Sequence, residues 1–262
     1  MNKRQLALIK KDIRSITSNK QAFMVILIVP LALTIVLPSI LVIVTALVPD
    51  SASDFQALLD MLPITAQEGD QVQIILGLVL NKIMPVFFLL IPIMASSVMA
   101  ASSFVGEKEK NTLETLLYSP LSLKQLFQAK ILAGFSVGMI VSFISFVAMM
   151  IVLQIEMLIL TGAVILPDIS WLIIMLLIAP SISLVSIGIT VRGSAKSQTM
   201  EEAQQRAVFL VFPIIGLVVG QFTGIILVNS WLLLGIGMVL ALIAALIIKN
   251  IVGKFTYEKL LK

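Results

Sequence analysis

The chain has 262 residues, of which 59% are hydrophobic and only 12% charged, and a formal net charge of +4. Soluble domains average about 25% charged residues, so this composition excludes one and points to a helical protein that crosses the membrane several times. Histidine and cysteine are both absent, which removes disulfides, thiolate or imidazole metal sites and Ser-His or Cys-His catalysis.

At the N-terminus, Leu6, Ile9, Ile13 and Ile16 fall at helical spacing among Lys3, Arg4, Lys10, Lys11 and Arg14. Residues 1–20 therefore read as an amphipathic helix lying in the headgroup region, with a positively charged anchor lacking regular structure as the alternative. Residues 22–47 form the first predicted span, with Pro30 and Pro38 inside it and kinks expected where neighbouring helices re-satisfy the freed carbonyls. Residues 48–71 carry Asp50, Asp54, Asp60, Glu68 and Asp70 and no basic residue, the pattern of an outer loop. Its segment 55–62 predicts a short surface helix.

Residues 72–105 are too long for one perpendicular span and contain Lys82. Counting back about 20 residues from the inner end places Lys82 near the outer interface, where it either snorkels or charges the mouth of a pathway. Pro85 and Pro92 invite kinks. Ser96 and Ser97, with the alanines and serines that follow, make the inner half small and slightly polar, suited to close helix packing. The most polar insertion, residues 106–130, holds four lysines and three glutamates. Asn111 with Glu114 and Ser122 with Gln125 have capping-box spacing, and Pro120 separates the two helix starts. The first of them, residues 111–118, is short, so its leucine face, Leu113, Leu116 and Leu117, needs a surface to dock on.

Further spans are expected at 127–155, 170–191, 207–228 and 231–248. Gly134 and Gly138 make a lone GxxxG in the third, and Pro180 interrupts the fourth. Residues 156–168 read as a second outer loop that includes Glu156. Thr199 with Glu202 is another cap. The fifth span carries Gly216, Gly220 and Gly224 at four-residue spacing beside Gln221, a face for close packing either within one subunit or between two. Trp231 sits where interfacial aromatics are enriched. Every lysine and arginine except Lys82 falls at the termini or in the second and fourth loops. The positive-inside rule then places both termini in the cytoplasm. With no aromatic interleaving, this charge reflects topology and not nucleic-acid binding.

The order Gly106, Glu107, Glu109, Thr112, Leu113, Glu114, Leu117, Pro120, Ser122 and Lys130 resembles the cytoplasmic loop of ABC type-2 transporter permeases. That resemblance implies an all-α membrane protein of six transmembrane helices, with an N-terminal interface helix and a cytoplasmic coupling helix. Its division is 1–20 interface helix, 21–252 permease domain with the coupling loop at 106–130, and 253–262 tail. It further implies an exporter whose pathway forms between two permeases, identical or related, in the cell membrane. Two separate ATPase subunits would then meet Glu107, Glu109, Thr112, Leu113, Glu114, Leu117 and Pro120. Pathway or dimer-interface residues would be Ser96, Ser97, Gly216, Gly220, Gln221 and Gly224. The chain has no GxxxxGK[ST] phosphate loop, so it is expected to hold no cofactor and not to be an enzyme, with ATP and magnesium bound by the partner ATPase. The competing reading is a secondary carrier or an intramembrane scaffold without an ATPase. It is disfavoured by the lack of a titratable core. Apolar walls with serines suit lipids, hydrophobic peptides or amphipathic drugs, with an ion left as a further alternative.

Overall fold

A computed structural model describes residues 3–47, 59, 70–109, 112, 121–162, 164–194, 197, 199–223, 225 and 228–254. Helix α1 (Lys3–Ser18) is followed by six helices long and apolar enough to cross a membrane. They are span 1 (Met24–Leu47), span 2 (Gln71–Glu107), span 3 (Leu123–Thr161), span 4 (Ile169–Ser194), span 5 (Met200–Phe222) and span 6 (Ser230–Gly253). No strand occurs among the described residues. Of the predicted helix at 55–62 only Leu59 is described. Residues 111 and 113–118 of the predicted coupling helix lie outside the described residues.

Span 2 is the axis of the bundle. Two-thirds (67%) of its most apolar window is buried, against 17% for span 6. Spans 3 and 4 pack on it, span 1 lies against span 3, and span 6 lies against span 4. The core is contributed by spans 2, 3 and 4, with Phe88, Phe146 and Trp171 as its aromatic centre. The Phe88–Trp171 and Phe146–Trp171 centroids are 5.6 Å and 5.1 Å apart, inside the range in which edge and tilted rings attract.

Span 3 exceeds its predicted limits at both ends. Ser122 caps it, accepting from Gln125 N at 3.3 Å while Gln125 Oε1 accepts from Ser122 N at 3.1 Å, the expected reciprocal box. The other end is Gly162, whose φ of 66° is left-handed and is the backbone state a glycine stop supplies. Glu156, expected in a loop, is therefore inside the helix. At 39 residues the helix is about 58 Å long, more than the roughly 40–45 Å of a bilayer with its headgroups. The predicted loop 106–130 is correspondingly shorter, because Leu123–Lys130 belongs to this helix and Gly106–Glu109 to the preceding one.

Three of the prolines produce the same local structure. Met24–Ile28, Val79–Ile83 and Ile174–Ile178 are π-turns, and each is followed, one residue later, by Pro30, Pro85 or Pro180. In each the intervening residue donates its N–H five residues back, as Val29 does to Met24 O, Met84 to Val79 O and Ala179 to Ile174 O. The cause is steric and electronic. A proline ring collides with the carbonyl four residues earlier and offers it no N–H, and widening the preceding turn relieves the collision. Span 5 breaks at Phe209–Leu210, ahead of Pro213, whose missing N–H leaves the Phe209 carbonyl without its usual donor.

Helix α1 buries only part of its apolar stripe. Its buried residues are Gln5, Leu8, Asp12 and Ile16, while Leu6 is exposed and Ile9 and Ile13 are half-buried. At about 100° per residue the buried face is rotated by roughly 75° from the predicted one. The reason is Asp12, whose carboxylate is held in the bundle.

Candidate functional site

Polar groups gather at three levels along spans 2, 3 and 4. The first lies at the end of the bundle where α1 packs, which is also the end from which the 110–122 loop leaves. Lys130, about two turns beyond the capped start of span 3, is only 1% exposed. Its ammonium is 2.7 Å from Glu107 Oε2 and 3.7 Å from Asp12 Oδ2. It also donates to the Ser103 carbonyl and, at 3.2 Å, to Ser103 Oγ. Ser103 Oγ in turn donates to Asp12 Oδ2 at 2.6 Å. Glu107 Oε1 accepts from the half-exposed Lys11 at 2.6 Å, and the Phe104 ring lies 5.3 Å from the Lys130 ammonium. One buried lysine thus faces two buried carboxylates, and Lys11 balances the excess negative charge from the rim. Such a group is tolerable inside a protein only when every member is paired. It ties α1, the end of span 2 and the start of span 3 to one point.

The second level is at the middle. Ser96 and Ser183 hydroxyls share a hydrogen bond between spans 2 and 4, and Ser186 donates to Ile93 O at 3.1 Å across the same contact. Gly138 of span 3 makes the crossing possible. A Cβ there would meet Ser96 Oγ at 2.0 Å and Ser96 Cβ at 3.3 Å. Gly134, a turn earlier, meets Ile187 Cδ1 at 3.3 Å in the same construction. The lone GxxxG is therefore a packing motif of this subunit. Ser97 is buried and donates to Met94 O at 3.0 Å.

The third level is at the opposite, acidic end. Lys82 pairs with Asp168 at 2.9 Å, both partly exposed, so the lysine is neither free at an interface nor alone in a pathway. Asn81 accepts from Asp168 N at 2.9 Å and donates to Leu166 O at 3.2 Å. The π-turn explains what else gathers here. Met84 N bonds Val79 O, and the donor that would serve Leu80 O in that register is Pro85, which has none. The Trp171 indole supplies it at 3.1 Å. Gln221 donates to Lys82 O at 2.9 Å, which docks span 5 on span 2. Its Oε1 is buried with no partner among the described residues.

Of the expected coupling residues, Glu107 is buried in the ion cluster and Glu109 is exposed. Thr112 donates its N–H to Glu107 O at 2.9 Å. Leu113, Glu114, Leu117 and Pro120 lie outside the described residues, as does Gly224. Ser96, Ser97, Gly220 and Gln221 are buried within the single chain, whereas Gly216 is exposed and a Cβ there would meet nothing within 4 Å. Sequence reasoning missed Asp12 and Asp168. The first had a signal, since Gln5, Leu8, Asp12 and Ile16 share one helical face; the second had none.

No curated protein and no solved structure matches the chain. A family model described as "ABC-2 family transporter protein" matches residues 6–230, from α1 to the first residue of span 6. With that match over most of its length and six apolar spans packed around a central second one, the chain belongs to the ABC-2 transporter family, as a membrane-spanning permease.

Proposed function

We propose that this permease is one half of an ATP-driven exporter in the cell membrane. Two copies, or one copy with a related chain, enclose the pathway. Two ATPase subunits bind ATP and magnesium and dock on the loop that joins spans 2 and 3. This chain performs no bond chemistry. It contributes different affinities for its cargo in inward- and outward-facing arrangements, and ATP binding shifts the population between them.

The observation that carries coupling is the pair of Glu107 and Lys130. The 2.7 Å contact between them joins the last turn of span 2 to the first turns of span 3, on either side of the loop. A push on that loop is then delivered to both spans together, and through Asp12 to α1, instead of being absorbed by slack at its roots. The test is purification of the permease with ATPase subunits from its own cells, followed by cargo-stimulated ATP hydrolysis. A permease that carries no ATPase and moves cargo without ATP is a secondary carrier.

The basic end is assigned to the cytoplasm, from the one-sided distribution of lysine and arginine. Ser122 and Glu201 at that end and Val164 at the other are exposed. Single cysteines at Ser122 and Glu201 should react with an impermeant maleimide only after the cells are opened, and one at Val164 in intact cells. The reverse pattern inverts the topology.

The second copy is assigned to the outward-facing side of span 5. Gly216 lies there, exposed and with nothing within 4 Å of a Cβ, and a small residue on an open helix face lets another helix approach closely. Gly216→Leu should remove the dimer band in native electrophoresis with little change in thermal stability, because the added side chain meets nothing inside the subunit. An unchanged dimer places the interface elsewhere.

A further inference from the structure

A cavity of about 890 Å³ opens at the basic end between α1 and spans 3, 4 and 6, and none of Asp12, Ser103, Glu107 and Lys130 lines it. Ligand sites commonly enclose about 300–1,000 Å³. Its wall is apolar, formed by Ile131, Leu184, Ala245 and Ile248, and the two cations on its rim are Lys124 and Lys249. Both lysines are exposed, and neither has an ion-pair partner among the described residues. Lys124 also lies in the first turn of span 3, where the aligned peptide dipoles add positive potential. Lys11 and Lys130, by contrast, are already neutralised by carboxylates, and Lys10 and Arg14 lie outside the cavity.

We propose that this cavity binds an anionic phospholipid. Its phosphate would sit between Lys124 and Lys249, with the upper part of its acyl chains along the apolar wall. Charge and shape argue together for a lipid over a soluble anion. A free phosphate has no use for the apolar wall, and a neutral lipid has none for two uncompensated lysines. Basic pockets between transmembrane helices on the cytoplasmic side are where anionic headgroups are held. Leu132, exposed on the rim, leaves the cavity open toward the acyl region. Occupancy would brace α1, through Gln5 on the same wall, against spans 3 and 6. Placement in the cytoplasmic leaflet rests on the orientation proposed above; lipid binding does not.

The test uses the full chain in detergent, with native mass spectrometry of retained phosphatidylglycerol and phosphatidylcholine during titration. The wild type is expected to hold phosphatidylglycerol in preference to phosphatidylcholine, and inorganic phosphate should not displace it. In Lys124→Gln/Lys249→Gln the affinity should fall about 30-fold, since each such charge contributes roughly a factor of five. Lys10→Gln/Arg14→Gln, which removes two exposed charges of α1 outside the cavity, should bind as the wild type does. Equal loss in both double variants would mean diffuse attraction to a basic surface and would overturn the site. Equal retention of the two lipids, displacement by inorganic phosphate, or no effect of the lysine pair would do the same. Binding that appears only when residues 255–262 are deleted would make the chain's own tail the occupant, and the proposal would fall.

Discussion

Lys130→Met should lower the thermal midpoint of the permease in detergent by roughly 10 °C. Lys130 is almost fully enclosed and is the buried cation facing Asp12 and Glu107, which Lys11 meets from the rim. Removing it leaves two buried carboxylates with one rim lysine between them, and breaking a buried pair from one side costs about 3–5 kcal/mol. For a protein of this size each kcal/mol is about 2–4 °C. Methionine keeps most of the volume, so the loss is electrostatic and not a cavity. Lys130→Met/Glu107→Gln separates the two causes: neutralising the orphaned carboxylate should recover part of the midpoint, because the full replacement of a buried pair is far less costly than half of it. A single variant as stable as the wild type would mean that the cluster is not a structural tie.

Leu117→Asp should weaken assembly with the ATPase by at least about 10-fold while leaving the spans intact. Leu117 belongs to the short leucine-faced segment that the sequence places between two caps. Burying a leucine contributes about 1.5–3 kcal/mol, so its loss alone weakens docking by about 10- to 150-fold, and a carboxylate in an apolar contact adds to that. The readout is the amount of ATPase that copurifies, together with cargo-stimulated hydrolysis. Val164→Asp, an exposed position at the other end, is the control. Wild-type assembly and coupled hydrolysis in the Leu117 variant would reduce the loop to a connector.

The number and order of the spans were legible because an apolar run long enough to cross a bilayer has few other uses in a chain with this little charge. Their ends were less so. Glu156 read as the start of a loop, yet the helix continues to Thr161, and Gln154, just inside the predicted limit, donates to Ile165 O. The prolines marked where the helices deform. They did not say which ones widen a turn, because Pro38 and Pro92 are taken up within α-helix. The site was legible where its signal was local, as at Ser122 and Gln125. It was hidden where it joined residues far apart, and Lys82 with Asp168, or Lys130 with Asp12, is specified only by the packing of three helices.

The π-turns change what a shift of one residue means in this chain. Each holds one residue more than an α-turn, so the helix before it is out of phase by about 100° with the helix after it. Trp171 and Asp168 lie ahead of the turn in span 4, and Asn81 and Lys82 lie within the one in span 2. Their meeting depends on that phase. Deleting a single residue from Ile174–Ile178 would restore an ordinary ladder and leave the indole and the carboxylate facing span 2, because the wide turn is what takes up the extra residue. Winding the same number of residues as plain α-helix would instead swing the indole and the carboxylate by about 100° away from span 2, leaving the Leu80 carbonyl without a donor and Lys82 without its counter-charge. The irregular turns thus act as fixed rotational offsets, and a one-residue deletion that would change partners in a helix of plain periodicity is taken up at these turns.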